Sequence, residues 1–327
     1  MDALYHGGNG ETMKSLWDDA EAAAYEGDLG QRVYTSRLLG RDPALVMHGG
    51  GNTSVKIERR SLLGDEERIL YVKGSGWDLE TIEAPGFAPV RLDHLLRLAQ
   101  LESLSDPEMV NELKTHMTSA AAPTPSVEAI LHAILPHRYV DHTHADAVIT
   151  LTNNPEGESH VREVYGDSVV VIPYIMPGFD LARLCARLFP AQADAGTQGM
   201  VLMNHGIFSF GATARESYER MIALVDRAER YLDRRGAWRV TLPPESPPAH
   251  SRRLAAAALR REVSALAGAP MIMAGDDGPQ PLAFARHPRV TSLSQQGPAT
   301  PDHVIRTKRV PMVGRDVQGY ARAYKTY

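Results

Sequence analysis

The chain has 327 residues, of which 43% are hydrophobic and 23% charged, as in a globular protein with one large domain or a large and a small one. Its net charge of −5 argues against a broad surface for nucleic acid or for anionic membranes, so we expect neither partner. The single cysteine, Cys185, excludes an intrachain disulfide, and the lack of an N-terminal signal pattern or of an apolar span of roughly 18 residues predicts a cytoplasmic location.

Helix-like and strand-like segments alternate from about residue 15 to residue 235, which predicts an α/β fold. Apolar spacing predicts these elements in chain order: helix 17–25, helix 31–39, strand 53–57, strand 68–73, a helix with Ser126 as its N-cap, strand 139–144, strand 169–174, an apolar run at 200–205 and helix 213–232. We see no internal repeat.

Three segments carry hydrogen-bond donors of the kind that bind phosphate. Residues 48–54 form a glycine loop between two strands, residues 73–76 end a strand, and Ser126 and Glu128 stand at a helix N-terminus. Consecutive glycines expose backbone N–H groups to an anion, and a helix N-terminus attracts one. A tight hairpin turn would also explain the glycines, and a favourable helix-dipole interaction of about 0.3–1 kcal/mol would explain Glu128.

Histidines near strand ends indicate a metal site. His142 and His144 lie two positions apart in the run 139–144, so their side chains should project from the same face of a strand. His205 ends the run 200–205 and precedes a glycine. Three imidazoles with one open coordination position are the arrangement of a catalytic zinc. Taken singly, each histidine is better explained as an ordinary polar residue at a strand end.

A proline-rich spacer at residues 242–249 marks the best domain boundary. It predicts a main domain over residues 1–240 and a C-terminal extension over residues 241–327. In the extension we expect a basic helix over 252–266 and a short strand over 271–274.

The order of these motifs resembles that of the zinc-dependent class II aldolase/adducin family. The resemblance covers roughly residues 15–235, and its most specific parts are the His-x-His and Asn-His-Gly elements. The motifs are Gly-Gly-Asn-Thr-Ser-Val-Lys (50–56), Lys-Gly-Ser-Gly (73–76), Pro-Ser-Val-Glu (125–128), His-Thr-His-Ala-Asp (142–146) and Asn-His-Gly (204–206).

A narrower resemblance is to the aldolase half of bifunctional rhamnulose-1-phosphate aldolase/short-chain dehydrogenase proteins. It rests on residues 71–95 and on residues 297–309, which read Gly-Pro-Ala-Thr-Pro-Asp-His-Val-Ile-Arg-Thr-Lys-Arg. The bifunctional proteins continue into a dehydrogenase domain. This sequence has no Gly-x-Gly-x-x-Gly after a strand, so we expect no nicotinamide site in it.

The resemblance implies a class II aldolase-like three-layer α/β fold, with a central, mainly antiparallel sheet flanked by helices and a small C-terminal α/β extension. It also implies one zinc ion per subunit, bound by His142, His144 and His205. Glu128 would be the acid/base carboxylate and would also ligate the metal when substrate is absent. The positions that would bind the substrate phosphate are Gly51, Asn52, Ser75, Gly76 and Ser126.

The activity implied is cleavage of a ketose 1-phosphate, rhamnulose-1-phosphate-like, to dihydroxyacetone phosphate and an aldehyde such as lactaldehyde. Family aldolases are commonly cyclic tetramers, so we expect a homotetramer, together with a dehydrogenase domain or partner. They also use a tyrosine or a carboxylate of an adjoining subunit to protonate the aldehyde oxygen. Tyr165, Tyr174 and Asp180 are candidates for that residue.

Three alternatives stay open at this point. A metallohydrolase is one, because the spacing of His142, His144 and Asp146 overlaps the start of a two-metal motif, although Ala147 stands where another histidine would follow. Epimerisation at C4 of a pentulose 5-phosphate breaks and remakes the same bond and would use the same metal site. A non-catalytic binding role, as in adducin, would place no demand on metal ligands.

Overall fold

The computed structural model describes residues 13–238 and 252–327, so the proline-rich spacer at 242–249 lies outside the described residues. The described chain divides into two units. The first comprises residues 13–238 and 299–306, and the second comprises residues 252–298 and 307–327. A short C-terminal segment, 299–306, therefore belongs to the same unit as the predicted site.

Helices account for much of the described chain, and none of those in the described ranges is long and apolar enough to cross a membrane. Their bounds are α1 (Asp19–Ala22), α2 (Gly27–Gly40), α3 (Leu92–Leu98), α4 (Asp106–Thr115), α5 (Ala129–Ile134), α6 (Asp146–Thr152), α7 (Gly157–Tyr165), α8 (Phe179–Gln192), α9 (Ala214–Arg234), α10 (Arg252–Ala267), α11 (Pro279–Arg286), α12 (Val290–Ser294), α13 (Pro301–Arg306) and α14 (Val317–Thr326). Short 3-10 turns cover Leu79–Thr81, Ala84–Gly86 and Gly166–Ser168.

One seven-stranded sheet forms the centre of the first unit. Its strands are β1 (Asn52–Arg60), β2 (Glu66–Lys73), β3 (Phe87–Arg91), β4 (Tyr139–Thr143), β5 (Val169–Ile172), β6 (Gly199–Leu202) and β7 (Gly206–Gly211). They lie in the order β3-β2-β1-β4-β7-β6-β5, and among these described strands only β5 and β6 pair in parallel. The predicted α/β fold with a mainly antiparallel sheet is confirmed.

Helices cover both faces of this sheet, which gives the three layers. Along β7, Phe208 and Phe210 face a core shared with α3, α4, α5 and α8, whereas Ile207 faces a core shared with α2, α6, α7 and α9. The alternation follows from the period of two along a strand. Full burial of a side chain such as Phe208 contributes about 1.5–3 kcal/mol to stability.

The three central strands bring the predicted site residues to one edge of the sheet. In the antiparallel register Asn52 of β1 lies opposite His142 of β4, which lies opposite Phe208 of β7. The start of β1, the end of β4 and the start of β7 therefore coincide. The glycine loop, His144 and His205 adjoin these same three strand ends.

One local prediction in the first unit was wrong. Ser126 is not the N-cap of α5, which begins at Ala129 with Glu128 in the capping position. Residues 127–128 form a turn instead, in which the Ser126 hydroxyl accepts from the backbone N–H of Glu128 at 3.3 Å. His205 lies in the turn between β6, which ends at Leu202, and β7, so it is near two strand ends.

The described part of the second unit consists of α10, α11, α12 and α14 and contains no strand. The helix expected over 252–266 is present as α10. The strand expected over 271–274 is not formed, and Ile272 is 97% exposed. A strand needs a neighbour to pair its backbone N–H and C=O groups, and the described residues of this unit provide none.

Candidate metal centre

His142 and His144 occupy the end of β4 and project together, as their spacing predicts. The ring of His142 stacks on Phe208 with centroids 4.1 Å apart, which holds it against the core. The Nε2 atoms of His142 and His144 are 3.1 Å apart. The two imidazoles therefore aim the same ring atom at a common point.

His205 reaches this point from the turn between β6 and β7. Asn204 adopts a positive φ of 57°, and its side-chain amide donates to the carbonyl of Thr152 at 3.1 Å. A Cβ at Gly206 would overlap the carbonyl oxygen of Thr143, so only glycine lets the turn approach β4 this closely. The Asn-His-Gly element is thus a tight turn that carries His205 to within 5.0 Å of the His142 ring, centroid to centroid.

The three histidines form a buried group, here called the triad, whose ligand atoms lie within 4.8 Å of one another. His142, His144 and His205 are 0%, 7% and 4% exposed. Burial lowers the pKa of His142 well below its usual range and also lowers that of His205. These two rings are therefore neutral at pH 7 and keep a lone pair for a metal.

Hydrogen bonds assign the tautomers of two triad rings. The Nδ1 of His142 lies 3.1 Å from the carbonyl oxygen of Ile207, which can only accept, so this nitrogen carries the proton. The Nδ1 of His144 likewise donates to the carboxylate of Asp302, at 2.5 Å. The two Nε2 atoms face each other, and in neutral rings with these tautomers both are acceptors. That arrangement is repulsive unless a cation lies beside them.

Glu128 lies beside the triad, at the start of α5. Its two oxygens are each 3.5 Å from an imidazole, Oε2 from Nε2 of His142 and Oε1 from Nε2 of His205. Burial alone would raise the pKa of Glu128, but the pKa is lowered, and the hydrogen bond from the Asn52 amide is a cause that holds with neutral imidazoles. The carboxylate is ionised, and its Oε1 has no hydrogen-bond partner among the described residues.

A chain of buried hydrogen bonds orients Glu128. The amide of Asn52 donates to Glu128 Oε2 at 2.6 Å, while its carbonyl oxygen accepts from Nε2 of His132. The other ring nitrogen of His132 accepts from the hydroxyl of Ser54 at 2.8 Å. Burial lowers the pKa of His132 to about 3, so the ring stays neutral and keeps this donor and acceptor pattern. Sequence reasoning missed His132, which lies within the apolar pattern of α5.

These features fit a divalent cation. Neutral imidazole nitrogens and a carboxylate oxygen are ligands that zinc and similar metals prefer. The triad places two Nε2 atoms 3.1 Å apart, and Glu128 Oε1 is buried without a partner among the described residues. A metal would satisfy both.

The three donor segments predicted from the sequence converge beside this group. Lys73 donates to the carbonyl of Gly49 at 2.8 Å, and its own carbonyl accepts from the backbone N–H of Ser126 at 3.1 Å. The amide of Asn52 lies 3.2 Å from the hydroxyl of Ser126. The glycine loop, the 73–76 loop and the segment before α5 are therefore in mutual contact.

Within these loops the predicted phosphate-binding residues have different environments. Ser75 and Gly76 are exposed, and Gly76 has a positive φ of 86°. Gly51 is buried at a φ of 58°, where an added Cβ would lie 2.6 Å from Val46. Asn52 commits its amide to Glu128 and to Ser126. Their role in phosphate binding stays a prediction.

Lys73 is a second buried charged group that sequence reasoning left without a role. It is 4% exposed, and burial lowers its pKa to about 8 despite the acidic neighbours Asp78 and Asp302. Its ammonium group lies under the glycine loop. It thus places positive charge beside the backbone N–H groups expected to bind an anion.

Asp302 is the functional residue that sequence reasoning missed most clearly. It lies on α13, is 4% exposed, and contacts both the triad and the glycine loop. The only signal for it was its position inside the stretch 297–309, which carried the narrower resemblance but suggested no role for any residue.

The three candidates for protonating the aldehyde oxygen lie apart from the triad's contacts. Tyr165 is buried in the core beneath α9 and donates to the carbonyl of Leu224 at 3.0 Å, and burial raises its pKa. Tyr174 and Asp180 are exposed, with the side chain of Asp180 70% accessible.

The fold and the site define a class of protein that can bind a metal through three histidines at the edge of a mixed sheet. Residues 31–232 match the family Class II Aldolase and Adducin N-terminal domain. Residues 250–327 match the family Aldolase class II, second domain. The chain belongs to the class II aldolase and adducin family.

Individual proteins resemble this chain to different degrees. A curated protein from Bacillus subtilis (strain 168), the uncharacterized oxidoreductase YuxG, is 35% identical over 308 residues, which is 92% of this chain and 44% of that protein. The chain thus spans less than half of this relative. The N-terminal class II aldolase domain of a conserved protein from Thermoplasma acidophilum is 41% identical, with a TM-score of 0.62 over 67% of this chain and 99% of that one. An L-fuculose-1-phosphate aldolase from Thermus thermophilus is more distant, at 18% identity and a TM-score of 0.39 over 63% of this chain and 96% of that one.

Proposed function

We propose that this chain is a zinc-dependent aldehyde-lyase that reversibly cleaves a ketose 1-phosphate to dihydroxyacetone phosphate and an aldehyde. A rhamnulose-1-phosphate-like substrate, which would release lactaldehyde, is our first choice because of the sequence resemblance. The observation that carries the proposal is the pair of Nε2 atoms of His142 and His144, 3.1 Å apart beside Oε1 of Glu128, which has no hydrogen-bond partner among the described residues.

The ligands proposed for the cation are His142, His144 and His205. When bound, the cation supplies Lewis-acid stabilisation of the negative charge that develops as the carbon–carbon bond breaks. Because the ligand set is neutral, the cation would keep its full charge for that purpose. Burial of the triad excludes bulk water and strengthens the electrostatic interaction.

Glu128 is proposed to move a proton to and from the nucleophilic carbon of the substrate. Its carboxylate is ionised, and Asn52 holds Oε2 at 2.6 Å, which leaves Oε1 free to act as the base. The hydrogen bonds from Ser54 through His132 to Asn52 fix the amide, so the carboxylate does not rotate away. A positioned acid/base group of this kind contributes about 10²–10⁴-fold to a rate.

The substrate phosphate is proposed to bind at the three convergent loops, through Gly51, Asn52, Ser75, Gly76 and Ser126. The exposed Ser75 hydroxyl and the nearby backbone N–H groups are suitable donors, and the Lys73 ammonium adds positive charge beneath the glycine loop. Phosphate binding at this distance from the reacting bond would orient the substrate.

Assembly and partners form part of the same proposal. We propose a homotetramer and association with a dehydrogenase domain or partner, on the strength of the family resemblance. An adjoining subunit would then supply the group that protonates the aldehyde oxygen.

A coupled screen of ketose 1-phosphates tests the proposed reaction. The purified protein is incubated with each sugar phosphate, and the released triose phosphate and aldehyde are measured separately, with and without a chelator and after readdition of zinc. We expect both products in equal amounts, loss of both with chelator, and recovery with zinc.

Other outcomes would point to the alternatives. Conversion of a pentulose 5-phosphate without released aldehyde would indicate epimerisation. Release of inorganic phosphate or of another hydrolysis product would indicate a metallohydrolase. Chelator-resistant cleavage of a sugar phosphate would contradict the role of the triad.

A further inference from the structure

The segment 299–306 belongs to the first unit, and hydrogen bonds hold both of its ends. The carbonyl of Ala299 accepts from the Asn153 amide at 2.8 Å, and the guanidinium of Arg306 donates to the carbonyl of His48 at 2.7 Å. Between these two contacts lies α13, which carries Asp302. The segment thus spans from the end of α6 to the glycine loop.

Asp302 uses both of its oxygens. Oδ1 accepts from Nδ1 of His144 at 2.5 Å, and Oδ2 accepts from the backbone N–H of Met47 at 2.9 Å. The side chain is 3% exposed, so water does not compete for either contact. One buried carboxylate therefore connects a triad ring to the start of the glycine loop.

The three triad rings differ in what holds their Nδ1 atoms. His142 is held by a backbone carbonyl, and Nδ1 of His205 has no partner among the described residues. Among the described residues, the Nδ1 of His144 is the only one of the three with an ionisable partner. A carboxylate that accepts from one imidazole nitrogen fixes the tautomer and the ring plane, and it makes the other nitrogen a stronger metal ligand.

We propose that Asp302 is a positioning residue for the metal centre: its carboxylate holds His144 in the tautomer and orientation in which Nε2 binds the metal. This inference rests on the proposed metal function of the triad. It gives the segment 299–306 a role in metal affinity, although Asp302 lies 158 residues from His144 in the sequence.

Gly50 provides an independent way to displace Asp302. A Cβ added at Gly50 would overlap the Asp302 carboxylate, which supplies all three of the nearest atoms around that position. Gly50 does not have a positive φ, so alanine fits its backbone conformation. Gly50→Ala should therefore displace the Asp302 side chain while its carboxylate group and charge are retained.

The test measures zinc affinity by competition with a chromophoric chelator, in the absence of substrate. Asp302→Asn keeps the size of the side chain but removes its charge, and it can accept from only one of the two N–H groups. We expect zinc to bind about 10–100-fold more weakly. The visible absorption of the Co²⁺-loaded protein should change as well, because it reports the ligand geometry. Asp167→Asn, at an exposed carboxylate on the turn Gly166–Ser168, is the matched control and should leave affinity and spectrum unchanged.

Gly50→Ala extends the test to a variant that retains the carboxylate. We expect Gly50→Ala to weaken zinc binding in the wild-type background and to have little further effect when combined with Asp302→Ala, because the overlap is then gone. Such non-additivity is the signature of two residues acting through one contact.

Zinc affinity and a Co²⁺ spectrum of folded Asp302→Asn equal to those of wild type would overturn the inference. If the Asp302 variants do not fold, Gly50→Ala decides alone, and unchanged zinc affinity and Co²⁺ spectrum of folded Gly50→Ala would overturn the inference. If they fold, equal effects of Gly50→Ala in both backgrounds would also overturn it. Failure of the proposed reaction would be distinct, since it would leave the zinc affinity of the wild type and its dependence on Asp302 intact.

Discussion

Two histidine clusters in the described chain have the spacing of a metal site, yet they differ in what their ring nitrogens do. The triad is buried. The second cluster, here called the surface cluster, consists of His94, Glu112 and His116 on and after α3 and α4 and is half-buried. In the surface cluster the two rings stack in parallel, 6° from coplanar orientation, with centroids 3.2 Å apart.

Ring orientation separates the two clusters. In the surface cluster, Nε2 of His94 lies 2.8 Å from the carboxylate of Glu112, and Nδ1 of His116 lies 2.9 Å from the backbone carbonyl of Glu112. These two nitrogens donate protons, so a metal could be bound only through Nδ1 of His94 and Nε2 of His116. Because imidazole lone pairs lie in the ring plane, the two parallel rings do not aim these nitrogens at one point.

In the triad the rings are not parallel. The planes of His142 and His144 are 81° apart. Their outer nitrogens hold protons, as in the surface cluster, but their inner nitrogens face each other and Glu128. Proximity of histidines alone therefore does not define a metal site; the remaining ring nitrogens must also point at a common position.

The largest expected effect comes from removing one ring from each cluster. His142→Ala should abolish zinc binding, because it removes a ligand and the ring that packs on Phe208. His94→Ala should leave one zinc per chain. Metal content after dialysis, measured by atomic emission, distinguishes the two variants. Loss of zinc from His94→Ala with retention in His142→Ala would reverse the assignment.

A smaller effect is expected from the carboxylate of each cluster. Glu128→Gln should lower turnover by about 10²–10⁴-fold while zinc stays bound, since the amide keeps an oxygen for Asn52 but no longer accepts a proton. Glu112→Gln is the matched control and should have wild-type turnover. Initial rates and zinc content of both variants check this, and full activity of Glu128→Gln would remove Glu128 from the mechanism.

The sequence allowed prediction of the local parts of the site. The period of two along a strand predicts that His142 and His144 share a face, and the structure agrees. Alternating apolar patterns likewise predicted most strands, and helical spacing predicted the long helix α9. These properties depend on neighbouring residues and need no knowledge of tertiary contacts.

The remaining parts depend on pairing over long distances. The convergence of His205 with β4 requires the β4–β7 register and glycine at position 206. Ser126 is not the N-cap of α5 because a turn at residues 127–128 moves the start of the helix to Ala129. Asp302 lies on a segment whose own pattern is uninformative, and only the folded chain places it at His144.

The most direct test of the metal centre is an anomalous difference map at the zinc absorption edge from crystals grown with zinc. The account predicts a peak about 2.0–2.1 Å from Nε2 of each of His142, His144 and His205. A map with no peak at the triad, or with its strongest protein-bound peak between His94 and His116, would contradict it.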